Sequence, residues 1–562
     1  MDDLVPLDEA CKYATDYVKK RITKSSISYL IQYGKITRHD DASSGSILVS
    51  RAELKAYYDA AFIAKKDNWI KQLGPDLNWH LSFDNLREQD TTKHVHRLHP
   101  YKGKYIPQLV EYFLDGHVDE FKKQPFFKPG DIIIDPFMGS GTTLVQCGEL
   151  GLHAIGVDIS AYNCMIVQAK MERYDVLPME QKLWKIFNDA RTALSTTGGL
   201  SLLATLKASI HEFNKKVFTT AGVKRKIALK EINEDQYGNE KLAEFFQENK
   251  EIIGKLQELE TKHKNAGPKG FIETWFNAEI RREFNTYLDL VEKEPDVNLK
   301  NLLKIIISRT ARACRSTKHF DLATLKEPQL LPYYCFKHKK ICAPIESSIL
   351  RFKAYIKDTI ARIKAYAALR RPVEFAVING DSRTVDVIDE VKRLNPGFGS
   401  LVETRLIDGI FTSPPYVGQI NYHEQHAYAY EMFGITRRDE KEIGPLFKGE
   451  SMSAKEDYIA GISNALKNIC KFVKKDGDVF IVANDKYNLY PTIARRNKLH
   501  VVEQFKRPVL NRTERDRQPY AEIIFHLKKA SDVDGLEQPK ERERSTKTTR
   551  FQPERTNQTK LF

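Results

Sequence analysis

The run Asp131-Ile132-Ile133-Ile134-Asp135, followed at once by Pro136-Phe137-Met138-Gly139-Ser140-Gly141-Thr142-Thr143, leaves this chain little choice of fold. Three consecutive isoleucines read as a buried strand, and glycines at 139 and 141 permit a tight turn into a helix over 142–150. Ala154-Ile155-Gly156-Val157-Asp158 is a second buried strand. Strand, glycine turn, helix and strand open a parallel, doubly wound sheet. The same pattern resumes at 375–381 and continues at 406–411 and 478–483, whereas 171–370 is Lys-, Glu- and Leu-rich with helical periodicity. The expected fold class is therefore α/β: a Rossmann-like sheet split by a long helical insertion, with a small module ahead of it.

At 562 residues the chain is too long for one core. The expected divisions are a module over 1–65, a first part of the catalytic domain over 78–170, the insertion over 171–370, the second part over 371–530 and a disordered basic tail over 531–562. A formal net charge of +14 suits a polyanionic partner without naming it. The chain opens without an apolar leader and contains no run near the ~18 apolar residues of a membrane span. Seven scattered cysteines, an odd number, read as reduced thiols. No membrane contact and a cytoplasmic location are the expectation.

In the first module, residues 7–18 are helical in pattern, Ser25 is placed to cap a second helix that Gly34 ends, 47–49 is a short strand and Arg51 begins a third helix. This order resembles the winged helix-turn-helix of excisionase-like DNA-binding proteins, which implies that the second helix reads a groove. A protein-interaction module has the same pattern.

The glycine turn is not a dinucleotide fingerprint, since position 144 is Leu where G-x-G-x-x-G wants its third glycine. Nor is it a P-loop, since no Lys follows Gly141. The D-P-F-x-G-S-G-T-T string instead resembles the DNA amino-methyltransferases, which methylate cytosine N4 or adenine N6. That resemblance implies S-adenosylmethionine as cofactor, bound by Asp135, Phe137, Gly139, Gly141 and Thr142. Asp158, 23 positions after Asp135, would hold the ribose, and Asp381 would lie near the adenine amine. The upstream stretch 99–110 resembles the family motif that sets a proline, here Pro107, beside the methionine end of the cofactor.

Residues 407–411 read as a strand, with Thr412-Ser413-Pro414-Pro415-Tyr416 at its carboxyl end, where open α/β sheets bind ligands. An exocyclic amine is a poor nucleophile because its lone pair is delocalised into the ring. Acceptors at two corners of the amine localise that pair and aim it at a methyl donor. The Ser413 side chain and the Pro414 carbonyl are assigned that role, consecutive prolines stiffen the turn, and Tyr416 offers a face for an extruded base. Catalytic residues are thus expected to be Ser413, Pro414, Pro415 and Tyr416. Methylation at cytosine C5 would use a Cys preceded by Pro, and none of the seven cysteines follows a proline. Ser at the first motif position resembles the N4-cytosine members, and the N6-adenine members more often carry Asp or Asn there.

Residues 421–431, dense in Tyr, His and Glu, either line the base pocket or pack as a helix on the sheet. Arginines at 507, 512, 515 and 517 suit phosphate contacts, as do Arg309, Arg312, Arg315, Lys318, Lys337, Lys339 and Lys340 in the insertion, which is read as the recognition segment. Cys335-x2-His338-x3-Cys342, with Cys314 or His319, has the makings of a zinc site. Its spacing matches no standard pair, and cysteines are commonly buried without metal, so no metal ligand is assigned. The reading is a site-specific DNA methyltransferase acting on duplex DNA, with a cognate restriction endonuclease as possible partner. An RNA base methyltransferase and a DNA-binding regulator on a degenerate methylase fold are the competing readings.

Overall fold

Ile132, Ile133 and Ile134 divide between the two sides of one seven-stranded sheet. Ile132 and Ile134 join a core with Val157, Ile410 and Ile481, and Ile133 joins another with Ala154, Phe411 and Phe480. A continuous apolar strand needs both faces covered in this way. The computed structural model describes residues 3–18, 22–32, 34–41, 46–84, 86, 88–196, 202–218, 227, 229, 231–264, 270–319, 321, 325–345, 347–510 and 519–530. The strands of the main sheet, numbered on their own, are β1 (Ile132–Asp135), β2 (His153–Asp158), β3 (Phe375–Asn379), β4 (Ile407–Thr412), β5 (Val473–Ala483), β6 (Leu499–Pro508) and β7 (Ala521–Lys529). Their spatial order is β6-β7-β5-β4-β1-β2-β3, with β7 antiparallel to both its neighbours and the other pairs parallel.

From β1 the chain moves to one edge through β2 and β3, then crosses back to lay β4 on the other side of β1. Ile133 stands opposite Gly409 and Ile134 opposite Ile410. The carboxyl ends of β1 and β4 therefore lie side by side where the connections diverge, which is the switch point at which such sheets take ligands. The glycine turn follows β1 and the Ser-Pro-Pro-Tyr turn follows β4.

Among the described residues the stretch between β2 and β3 is mostly helix with one short hairpin, and it feeds two cores. Leu183, Phe284, Leu302 and Ile356, from helices Val176–Thr196, Ala278–Glu292, Val297–Ala313 and Ile349–Ala367, belong to the same core as Ile133. Helices Leu202–Val217, Glu234–Glu248 and Lys250–Lys264 close with the hairpin Tyr333–Cys335 and Lys340–Cys342 around a satellite core of Leu206, Phe213, Phe245, Tyr334 and Ile341. Some of the charge expected to face DNA turns inward. Arg309 is buried at 2.5 Å from Asp358, and Lys339 lies 2.5 Å from Glu234.

The N-terminal module packs helices Leu7–Val18, Lys24–Gln32 and Arg51–Leu73 against a three-stranded sheet. Thr23, not Ser25, caps the second helix: its hydroxyl accepts from the Ser26 N–H at 3.2 Å, and the Ser26 side chain accepts from the Thr23 N–H. This reciprocal box starts the helix earlier than a lone serine cap would. The third helix runs on to Leu73, past the expected boundary at 65, with Ser50 as its N-cap. Arg507 is also not at a rim. It is 3% exposed on β6 and bonds Glu522 on β7 at 3.0 Å and the Leu81 carbonyl at 2.9 Å. Arg512, Arg515, Arg517 and the tail over 531–562 lie outside the described residues. Among the described residues no helix is long and apolar enough to cross a membrane.

Candidate active site

One buried carboxylate ties the two motifs together. Asp135, the last residue of β1, is 1% exposed. One of its oxygens accepts from the Thr412 hydroxyl at 2.6 Å and the Phe137 N–H at 3.1 Å, the other from the Thr143 hydroxyl at 2.7 Å and the Tyr105 hydroxyl at 3.1 Å. Burial pushes its pKa up, and these four donors pull it back only in part. Because Thr412 directly precedes Ser413, the glycine turn and the Ser-Pro-Pro-Tyr turn are held in register through this one group.

The glycine turn is closed by hydrogen bonds from the Gly141 N–H to the Met138 carbonyl (2.7 Å) and from the Met138 N–H to the Val157 carbonyl (3.1 Å). Gly141 adopts φ +76°, and a Cβ there would come within 2.8 Å of the Val167 methyls. We expect Gly141→Ala to cost roughly 2–4 kcal/mol, the sum of left-handed backbone strain and overpacking. Urea denaturation checks this, and a loss below ~1 kcal/mol would show that the turn tolerates a side chain.

A cavity opens where β1, β2 and β4 end. Phe137, Gly139, Thr142, Asp158, Asp381, Ser413 and Pro415 all line it. Asp135, Gly141, Pro107, Pro414 and Tyr416 are not among the residues that line it. Pro107 occupies the first turn of helix Pro107–Leu114, and it is Tyr101, Lys104 and Tyr105 of the same upstream motif that reach the cavity. Of the 421–431 stretch, Tyr422 and His423 line the cavity, while Tyr428 and Tyr430 of helix Ala427–Met432 are buried in the core. The packing reading holds for the helix, and Tyr422 and His423 belong to the cavity.

Asp158 accepts from the Ser160 N–H at 2.8 Å, the Gly139 N–H at 2.9 Å and the Asn163 amide at 3.2 Å. Burial raises its pKa to about 6 against the pull of those donors. Asp381 is gripped by the Arg383 guanidinium at 2.6 and 2.8 Å, which overrides burial and holds its carboxyl below the usual range. At the Ser-Pro-Pro-Tyr turn the Ser413 hydroxyl donates to the Tyr416 oxygen at 3.4 Å, and the Tyr416 hydroxyl donates to Glu522 at 3.0 Å. The Ser413 oxygen keeps its lone pairs as acceptors. The Pro415 carbonyl is taken by the Tyr458 hydroxyl at 2.8 Å.

Three side-chain atoms at the cavity wall are buried with no hydrogen-bond partner: Ser140 Oγ, Asn163 Oδ1 and His423 Nε2. His423 is fixed by its partner Glu442, which accepts from the His423 N–H at 2.7 Å and contacts its Nδ1. Buried polar atoms without partners are uncommon, and a ligand bearing donors and acceptors satisfies them. With the apolar Phe137, Met138 and Ile443 also in the wall, these residues fit an amphipathic nucleoside cofactor. Asn163 and Glu442 carried no motif signal, and Ser140 lies inside the D-P-F-x-G-S-G-T-T string without having been assigned a role.

Fold and cavity together are those of a methyltransferase, with one cavity at the ends of β1, β2 and β4. The comparisons with known proteins agree. The family model described as DNA methylase matches residues 37–169. The chain is 46% identical over 526 residues to the Type II methyltransferase M.MjaII of Methanocaldococcus jannaschii, covering 93% of this chain and 97% of that one. It is 37% identical over 95 residues to the Type II methyltransferase M.MvaI of Kocuria varians, covering 17% and 19%. It is 26% identical over 113 residues to the Type II methyltransferase M2.DpnII of Streptococcus pneumoniae, covering 18% and 40%. The chain belongs to the DNA amino-methyltransferases, enzymes that act on DNA with S-adenosylmethionine as methyl donor.

Proposed function

We propose that the protein methylates the exocyclic N4 amine of cytosine at a specific duplex sequence, as the modification enzyme of a restriction-modification system. The observation that carries this reading is that Ser413, its oxygen lone pairs unspent, lines the same cavity as the glycine turn. S-adenosylmethionine, when bound, supplies an electrophilic sulfonium methyl. Asp158 would accept the ribose hydroxyls, and Phe137, Gly139 and Thr142 would line the rest of the cofactor's bed. Asp135 and Gly141 would shape that bed without lining it, and Pro107 would start the helix beneath it.

The chain's own chemistry is acceptance and alignment. Ser413 Oγ and the Pro414 carbonyl would accept from the target amine, localising its lone pair, with Pro415 and Tyr416 shaping the turn. The Tyr416–Glu522 bond fixes the Ser413 hydroxyl hydrogen away from the amine. A target base has to leave the duplex to reach this turn. The type II names of M.MjaII and M.MvaI support a partner endonuclease and a defined recognition site. The satellite core and the N-terminal module are the segments we assign to sequence reading and DNA grip.

Expression of the chain in a methylation-free host, followed by digestion of the DNA to nucleosides, tests the target atom. N4-methylcytosine is the expected product. N6-methyladenine would overturn the cytosine assignment, and unmodified DNA with methylated RNA would overturn the substrate class. Ser413→Ala is expected to abolish the product while leaving cofactor affinity within a few fold.

A further inference from the structure

The satellite core holds a second cluster of chemistry-bearing side chains that the methyl-transfer reading does not use. Cys335 ends one strand of the hairpin and Cys342 ends the other, diagonal neighbours on one face. The chain turns sharply between them. The His338 and Lys339 N–H groups both donate to the Cys335 carbonyl, at 3.1 and 2.7 Å, and Lys339 takes φ +54°. That turn folds His338 back over the strands, its Nδ1 lying 3.5 Å from Cys342 Sγ. His319 arrives from the loop after helix Val297–Ala313, its Nδ1 3.7 Å from Cys335 Sγ. The Tyr333 hydroxyl accepts from the His319 N–H at 2.8 Å and lies 2.7 Å from the same ring nitrogen, a contact that an ion bound there would displace.

One ligating atom from each of His319, Cys335, His338 and Cys342 lies within 4.8 Å of all the others. Zinc–sulfur and zinc–nitrogen bonds of roughly 2.3 and 2.0 Å make tetrahedral S···N edges of about 3.5 Å and S···S edges of about 3.8 Å. The two S···N separations, 3.5 and 3.7 Å, are of that size. We infer that these four residues form a structural zinc site that clamps the hairpin to the loop after helix Val297–Ala313.

The chemistry of the donor set is right for zinc. Two imidazoles and two thiolates balance a divalent charge and leave no position open for water, so the site is structural and not catalytic. The satellite has reason to need a clamp. Its buried hydrophobic residues are few, and a lone two-stranded hairpin is marginal in water. The other two ligand clusters among the described residues differ. His94, His96 and Glu149 have the Lys93 ammonium 2.7 Å from the carboxylate, and Asp439 beside His423 and Glu442 is paired with Arg437 at 2.5 Å.

The test uses the full-length protein without a polyhistidine tag. Mass spectrometric metal analysis after dialysis against a weak chelator is expected to give one zinc per chain, and C335S/C342S to give none. Cobalt(II) added to the metal-stripped protein should produce the intense visible bands of a tetrahedral ion and near-ultraviolet charge transfer from two thiolates. H338C should keep both features and strengthen the charge transfer with a third thiolate, which separates ligation from mere folding. Zinc below a tenth of the chain concentration, the weak spectrum of octahedral cobalt, or a Cys335–Cys342 disulfide in the isolated protein would each overturn the site.

Discussion

Asp158→Ala is expected to weaken S-adenosylmethionine binding about 100-fold or more, measured by calorimetry on protein without DNA. Two hydrogen bonds from ribose hydroxyls to a carboxylate are together worth about 3 kcal/mol, and each 1.4 kcal/mol is tenfold in affinity. The same carboxyl sets a pH dependence. Its pKa stands at about 6, so below that value a proton competes with the hydroxyls for the same oxygens. The dissociation constant should rise tenfold per pH unit as pH falls below about 6, and Asp158→Asn should flatten the profile. The stability of the cofactor-free protein should move the other way. A carboxyl whose folded pKa is raised contributes its stability below the unfolded pKa and loses it as pH rises through the folded value. Acidification from neutral towards pH 4 should therefore relieve a cost at Asp158 while cofactor affinity falls. Affinity unchanged in the alanine variant, or flat with pH in the native chain, would remove Asp158 from the cofactor's bed.

Replacing Asp135 with alanine is the variant expected to do most harm to the fold. Thr412, Thr143, Tyr105 and the Phe137 N–H would all lose this acceptor, with Thr143 keeping the Phe411 carbonyl at 3.3 Å and Tyr105 keeping the Thr143 hydroxyl. A buried donor left unpaired costs about 1–3 kcal/mol, and some of the four can re-pair, so a loss of about 3–5 kcal/mol is expected by urea denaturation. Asp135→Asn keeps an acceptor and the volume, and should lose roughly half of that. The asparagine variant carries the functional half of the argument. With the glycine turn and Thr412 no longer held by one charged group, kcat should drop by at least tenfold while KM for DNA changes little. An alanine variant as stable as the parent would mean that the two turns are registered by strand pairing alone.

The central strands were legible because their signal is local. Three isoleucines followed by a glycine turn can satisfy little besides a buried strand and a helix start, and Asp158, Phe137 and Ser413 fall where that pattern puts them, around one cavity. Side chains delivered by long excursions were not legible. Asn163 sits on an ordinary helix and Glu442 in a loop, and neither position has a periodicity to betray it. Arg507 misled because an arginine cluster in sequence says nothing of which member has a buried carboxylate waiting on the next strand. The 171–370 stretch read as one unit because helices on the sheet and helices of the satellite share a composition, and only packing tells them apart.

On the proposed assignment of the satellite to sequence reading, that division of the helical stretch sets where new sequence preferences can arise. Leu302 and Ile356 lie in the same core as Ile133, so change there is checked by its effect on the donor bed itself. The satellite touches other packing: Leu206, Phe245 and Tyr334 answer chiefly to one another. A lineage of such enzymes is free to rework that small body, exchange it or lose it while the methyl-transfer machinery stays fixed, and chimaeras between relatives have their natural seams at its borders.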